Sequence, residues 1–276
     1  MSSVKRFADF IKERNAIYER RSSGVEKPWT KDKILQQYRF CNVCRERDTV
    51  TQWIAKHWRD PNQSDPDLWF AMAVARLINF PDTMEEIGYP VPWSGEKFLK
   101  VLKNRKEKGL QLYNGAYMIS THGVRMDKAK YLEKRALTPL WKNRQYVRPK
   151  GGESFFHLHQ RLIQQRDLGS FMSGQIIADL KYAKPYRAVK DWETFAVSGP
   201  GSRRGLNRLL GGPTERPMKE SEWYARLMEL KSAVDPLLKG VVHLHAQDLQ
   251  NCLCEMDKYE RVRLCEGRPK SLYPGV

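Results

Sequence analysis

Four stretches of this chain place residues capable of chemistry at useful spacings. The loop "SGPGSRRG" at 198–205 sets Gly199 and Gly201 around Pro200, after Ser198 and before Arg203 and Arg204. Backbone N–H groups in such a loop, with guanidinium groups on the following helical turn, suit a phosphate or pyrophosphate. It is not a Walker A loop, because no Lys-Ser or Lys-Thr follows, and no GxGxxG occurs with the strand it needs. A surface loop with solvated arginines is the plain alternative. The stretch "LIQQRDLGSFMSGQIIADL" at 162–180 reads as helix, tight turn, helix. There Arg166, Gly169 and Ser170 would meet a DNA phosphate as in a helix-hairpin-helix, and an ordinary helical corner is the alternative. Just beyond, Gln175 and Asp179 lie i, i+4 on a mostly apolar helix, where a buried carboxylate and amide must find partners.

In "QYRFCNVCRERDTVTQW" the helical reading puts Arg39, Asn42 and Arg45 on one face, a set suited to phosphate or base-edge contacts or to a solvated ion-pair face. In "DLQNCLCEMDKYERVR", Leu249, Leu253 and Met256 mark a core stripe. Glu255 and Lys258 are then i, i+3, and Asp257 and Arg261 are i, i+4, as helix ion pairs would be. Cys41 and Cys44 form a CxxC with no second pair at zinc spacing, and Cys252 and Cys254 point to different helix faces, so free thiols fit better than a metal site. The two "HLH" triplets, at 157–159 and 243–245, suit satisfied or exposed histidines better than a metal pair.

The elements that must position these residues are mostly helical. Apolar residues recur at i, i+3, i+4 over about 4–20, 31–47, 49–58, 66–79, 95–107, 127–143, 154–167, 171–182, 202–210, 220–238 and 246–264. Asp65 and Pro66, Ser94, and Gly109 supply start and stop signals. A short strand pair around "LQLYNGAYMIST", turning at Asn114 and Gly115, is the one break in the helical pattern. The loop "RPKGGESF" at 148–155 marks a seam between an N-terminal helical subdomain, 1–150, and a helix-hairpin-helix-like subdomain, 151–276, which share a core. The fold class expected is mainly α and multi-helical, with a DNA-glycosylase-like C-terminal half.

The chain has 276 residues, 49 Lys and Arg against 32 Asp and Glu, and a formal charge of +17. Hydrophobic residues make up 41% and aromatics 11%, so a packed core is available. A polyanionic partner is the simplest reading of the charge. No stretch approaches the length of a membrane span, the N-terminus reads as an amphipathic helix and not a signal peptide, and five cysteines fit a reducing compartment. A cytoplasmic protein with no membrane association is expected.

Taken together, "YRFCNVCRERDTVTQWI", "LGSFMSGQIIADLKY", "SGPGSRRGL" and "LQNCLCEMDKYERVR" resemble the α-glutamyl/putrescinyl thymine pyrophosphorylase family. That family includes phage amino acid:DNA transferases and the helical domain found with 5-hydroxymethyluracil DNA kinases. The resemblance spans residues 38–263 and implies thymine hypermodification in phage DNA. In that chemistry an amine, such as an amino acid or a polyamine, displaces pyrophosphate from a pyrophosphorylated 5-hydroxymethyluracil. It implies roles as well: Arg203, Arg204 and the Gly199–Gly201 loop on pyrophosphate, Asp179, Glu255 or Asp257 as base, Arg39 or Arg45 on a carboxylate or DNA phosphate, and Lys258 on developing charge. The partners implied are double-stranded DNA containing modified uracil, an amine co-substrate and a DNA kinase. Mg²⁺ as an aid to pyrophosphate departure is left open. A helix-hairpin-helix glycosylase and a noncatalytic DNA-binding module are the other readings.

Overall fold

The computed structural model describes residues 2–114, 121, 123–269 and 272–273. It is mainly helical, with no extended strand among the described residues. Its longer α-helices are α1 (Ser3–Ser22), α2 (Leu68–Ile78), α3 (Gly95–Glu107), α4 (Phe155–Ile163), α5 (Ser170–Leu180), α6 (Pro200–Leu209), α7 (Glu220–Leu238) and α8 (Ala246–Arg263). The chain divides into two compact units, one of residues 1–48 and 193–276, the other of residues 49–192. The glycine loop at 148–155, expected as a seam, thus lies inside the second unit. The expected hairpin turn at Asn114 and Gly115 falls largely outside the described residues. No described helix is long and apolar enough to cross a membrane.

In the first unit, α1, α6, α7 and α8 bury one stripe each. Phe7 and Ile11 of α1, Leu206 of α6, Trp223 and Leu227 of α7, and Leu249, Leu253 and Met256 of α8 form a common core. The i, i+4 and i, i+3 spacing of these residues makes each helix amphipathic, and burying the stripes removes roughly 25 cal/mol of unfavourable hydration per Å² of apolar surface. Ser2 caps α1 by accepting from the Lys5 amide, and His245 caps α8 through the Asp248 amide.

The helices α6 and α8 approach closely because α6 has no side chain where they cross. A Cβ on Gly201 would collide with Cys254 Sγ, and one on Gly205 with the Leu253 carbonyl. Both glycines lie i, i+4 on the face toward α8, so their role is close packing. The first turns of α6 are thereby fixed against α8.

The second unit is built around α2, every residue of which is buried. Such a helix must be covered on all sides; α5 and the turn Ala55–Arg59 pack on it, and α4 packs in turn on α5. Phe70, Trp93, Phe98 and Trp141 form an aromatic cluster on it, with successive ring centroids 5.0–5.4 Å apart. The helix at α3 begins at Ser94, whose hydroxyl accepts from the Lys97 amide, and stops at Gly109 with φ +69°. Between 49 and 59 a helical stretch passes into a π-helical turn, Ala55–Arg59.

The helix expected over 31–47 is the main departure. Only Lys33–Gln37 and a short turn, Arg45–Arg47, are helical, and the intervening residues are extended. Tyr, Phe, Cys, Asn and Val at 38–44 are weak helix formers, and side chains of α8 offer the backbone other partners.

Candidate anion-binding site

A cavity of about 480 Å³ opens at the N-terminus of α6, lined by Ser198, Gly199, Pro200, Arg203, Arg204, Thr214, Glu215, Arg216, Pro217 and Met218. Ser198, Gly199, Arg203 and Arg204 are therefore brought together as the loop sequence suggests. Pro200 opens the helix without an N–H to lose, the Gly199 amide donates to Ser202 Oγ at 2.9 Å, and Gly201 and Ser202 are buried behind the cavity lining. The helix dipole adds partial positive charge at the same point.

The two arginines of the loop do different work. Arg203 spends its donors on the protein: Nε on Ser198 Oγ at 2.8 Å, Nη2 on Glu220 Oε2 at 2.6 Å, and Nη1 on the Met218 carbonyl. Glu220 in turn accepts from the Ser198 amide at 2.7 Å and its hydroxyl at 2.6 Å. This set locks the loop. Arg204 donates only Nε, to Asp257 Oδ2 at 2.9 Å, and its two terminal nitrogens have no hydrogen bond among the described residues. Its side chain is 29% exposed at the cavity while Asp257 is 1% exposed behind it. Arg204 is the positioned cation with donors to offer.

The far wall of the cavity is not visible in the sequence. Residues 211–218 fold back over α6 because Asn207 Nδ2 donates to the Thr214 and Arg216 carbonyls at 2.9 and 3.0 Å. Arg216, exposed and 3.7 Å from Glu222, is thereby added to the lining. Neither Asn207 nor Arg216 has a local sequence signal, since the fold-back depends on tertiary contacts.

Asp257 anchors an arginine cluster. Its second oxygen accepts from Arg208 Nε at 2.9 Å, and Arg261 Nε lies 3.4 Å from Oδ2, the i, i+4 pair expected on α8. Arg208 also pairs with Glu266, which with Asp257 pushes its already high pKa further up. Three guanidinium groups around one carboxylate leave the cluster with positive charge, part of it balanced by Glu266. Asp257 orients arginines; its oxygens are not open to a substrate proton.

Glu255 and Lys258, the i, i+3 pair, are 3.1 Å apart and pin an extended segment to α8. Glu255 accepts from the Cys41 amide at 3.0 Å, and Lys258 donates to the Arg39 carbonyl at 2.5 Å while lying 4.6 Å from the Phe40 ring centroid. Asp248 accepts from the Arg45 amide at 2.9 Å, and Asn251 donates to the Asn42 carbonyl at 3.3 Å. The polar residues of α8 thus satisfy a strand-like backbone that has no sheet. Arg39, Asn42 and Arg45 do not share a helix face: Arg39 is exposed, while Asn42 donates to the Arg47 carbonyl at 2.7 Å.

Asp179 and Gln175 are buried on α5 in the other unit. Asp179 is 0% exposed and both its oxygens accept from Arg76 of α2, Oδ1 from Nη2 at 2.6 Å and Oδ2 from Nε. Arg76 also donates to Thr51 Oγ1 at 2.8 Å and Asn79 Oδ1 at 2.9 Å. This is a bidentate, enclosed ion pair. The turn before α5 is a helical corner in which Asp167, with φ +62°, takes the left-handed conformation; Gly169 caps α5 with φ −74°. Asp tolerates that region because its short side chain bonds locally, so Gly169 does not carry the turn as the hairpin reading expects. Arg166 is exposed beside Asp167, and Ser170 Oγ lies 3.2 Å from His159 Nε2.

Four of the five thiols are held above their ordinary range. Glu255 beside Cys41 and burial push it up to about 12, and burial pushes Cys252 up to about 12 and Cys44 and Cys254 up to about 11. No group of three or more His, Cys, Asp or Glu side chains suited to a metal ion occurs among the described residues.

The fold is mainly helical, with a guanidinium-lined cavity at the N-terminus of α6. Residues 1–268 match the family model described as "5-hmdU DNA kinase, helical domain", and the chain belongs to that family. It is 24% identical over 283 residues to the "5-hmdU DNA kinase" of Bacillus phage SP10, an alignment covering 92% of this chain and 44% of that protein. The chain thus spans less than half the length of that relative. No solved structure matches it.

Proposed function

We propose that this chain acts in phage-type thymine hypermodification, downstream of phosphorylation of 5-hydroxymethyluracil in DNA, and transfers an amine to the modified base. The carrying observation is the cavity at the α6 N-terminus, where Arg204 presents guanidinium donors that have no hydrogen bond among the described residues. In this reading the cavity takes the pyrophosphate of the activated base. The nitrogen lone pair of an amino acid or polyamine forms a bond to the exocyclic CH₂. The C–O bond to pyrophosphate breaks, its electron pair departs with pyrophosphate, and the ammonium proton passes to water.

Donors fixed where leaving-group charge develops are the contribution expected of the protein. Asp179 and Asp257 then serve as scaffold, since their oxygens already accept from arginines. Glu215 is the one carboxylate in the cavity lining, so a Mg²⁺ ion would enter on the pyrophosphate and not on a protein site.

The second reading is a noncatalytic DNA-binding module that partners a hydroxymethyluracil DNA kinase. The engaged state of Glu255, Asp257 and Asp179 favours it, as does the greater length of the phage relative. Mass spectrometry of nucleosides separates the two. Hydroxymethyluracil DNA is treated with a 5-hmdU DNA kinase, ATP, this protein and a mixture of amino acids and polyamines, then digested. A nucleoside with an added amine mass that requires this protein supports transfer. Pyrophosphorylated base left unchanged despite DNA binding contradicts transfer and supports the module, and loss of the base would indicate a glycosylase.

A further inference from the structure

Helix α3 carries charge that the cavity does not use. It buries Phe98, Leu102 and Arg105, which turns Lys97, Lys100, Lys103 and Lys108 outward. The Glu133 carboxylate lies against Gly95 at the start of α3, and Lys106 near its end donates to Asp127 Oδ2 at 2.8 Å. Residues 127–137 therefore run antiparallel beside α3 and add exposed Lys130 and Lys134.

The acids in this array are largely consumed. Glu107 lies 3.7 Å from Lys103, Asp127 takes Lys106 and caps the Ala129 and Lys130 amides, and Glu133 accepts from Thr138 at 2.7 Å. Glu96 remains. Lys97, Lys100, Lys108, Lys130 and Lys134 have no ion pair among the described residues. Arginines around the cavity behave differently: Arg203, Arg204, Arg208 and Arg216 each lie against a carboxylate.

Like charges at i, i+3 and i, i+4, such as Lys97 with Lys100 and Lys130 with Lys134, repel. A polyanion relieves that repulsion, and duplex DNA presents one charge per roughly 1.7 Å of axis. At about 1.5 Å rise per residue, Lys97 to Lys108 extends over about 16 Å, enough to follow a backbone strand across a groove. Flexible ammonium groups contact phosphates as point charges without fixing base identity.

We propose that the lysine face of α3 and residues 127–137 is a docking surface for the sugar-phosphate backbone of duplex DNA. It rests on the DNA-directed reading above and names where that partner is held. The test is the salt dependence of binding to an unmodified duplex, for the wild type, for the combined variant Lys97→Gln, Lys100→Gln, Lys130→Gln and Lys134→Gln, and for Arg204→Gln. The combined variant should fold with unchanged or higher Tm, because it removes repulsion. Its slope of log K against log salt should be shallower than wild type by about 3 to 4, one phosphate contact accounting for roughly 0.9, while Arg204→Gln stays within about 1. An unchanged slope in the combined variant, or a wild type that binds no duplex, overturns the surface. Failure of amine transfer with the slope difference intact would remove the cavity reading and leave the surface standing.

Discussion

Asp179 and Asp257 are both buried aspartates on helices, both hydrogen-bonded to arginine, yet they serve different ends. Both carboxylate oxygens of Asp179 accept from Arg76, itself 2% exposed, which also donates to Thr51 and Asn79, and Arg59 Nη1 donates to the Asp179 main-chain carbonyl at 3.4 Å. The pair is enclosed on both sides. Asp257 meets Arg204, Arg208 and Arg261, and Arg204 reaches past it to a cavity with its terminal nitrogens unbonded. A balanced, enclosed pair holds helices together, whereas an overbalanced cluster leaves one guanidinium facing a cavity.

The largest effect should follow from breaking the enclosed pair. Asp179→Ala removes the carboxylate that faces buried Arg76 and should cost about 3–5 kcal/mol of stability, measured by urea unfolding. A loss under about 1 kcal/mol would show that the pair is not the anchor of α5 on α2. The next effect sharpens the contrast at the cavity. Arg204→Gln should weaken pyrophosphate binding about 10- to 100-fold in calorimetry while shifting unfolding by less than about 1 kcal/mol, because a partly exposed charge pair contributes little. Equal losses in binding and stability would make Arg204 a scaffold residue like Arg76.

Gly205→Ala tests whether the cavity depends on the α6–α8 approach. The added methyl meets the Leu253 carbonyl and should destabilise by about 1–3 kcal/mol, reducing pyrophosphate affinity in proportion. The smallest effect is alkaline. Cys254 is held up at about 11 by burial against an ordinary 9.0, so the folded state keeps a proton that the unfolded chain loses. Its contribution is fully present below pH 9 and falls away as pH rises from 9 toward 11. The Tm of Cys254→Ala should therefore decline less between pH 8 and 10 than that of the wild type, and parallel declines would contradict the assignment.

Most helices were legible because amphipathic spacing, Ser94 and Gly109 act locally. Residues 38–45 were not: their apolar spacing imitates a helix, while the deciding hydrogen bonds come from Glu255, Asp248, Lys258 and Asn251, about 200 residues away. The same contacts explain the charged residues of α8, which pair at the helical spacings the sequence suggests and also reach outward to a lone extended segment. The loop cavity was partly legible from Ser198, Gly199, Arg203 and Arg204, but the separate duties of the two arginines depend on Glu220 and Asp257. Arg76 left a signal that was open to reading, a single charge within "LWFAMAVARLI", which demands a buried partner. Gly201 and Gly205, four residues apart, likewise mark a helix face built for close approach.

The most direct measurement is a calorimetric titration of inorganic pyrophosphate into the wild type, Arg204→Gln and the combined lysine variant at fixed ionic strength. One site should appear in the wild type and in the lysine variant with similar affinity, and Arg204→Gln should lose about 10-fold or more. Equal binding by Arg204→Gln and wild type would contradict the cavity as the anion site.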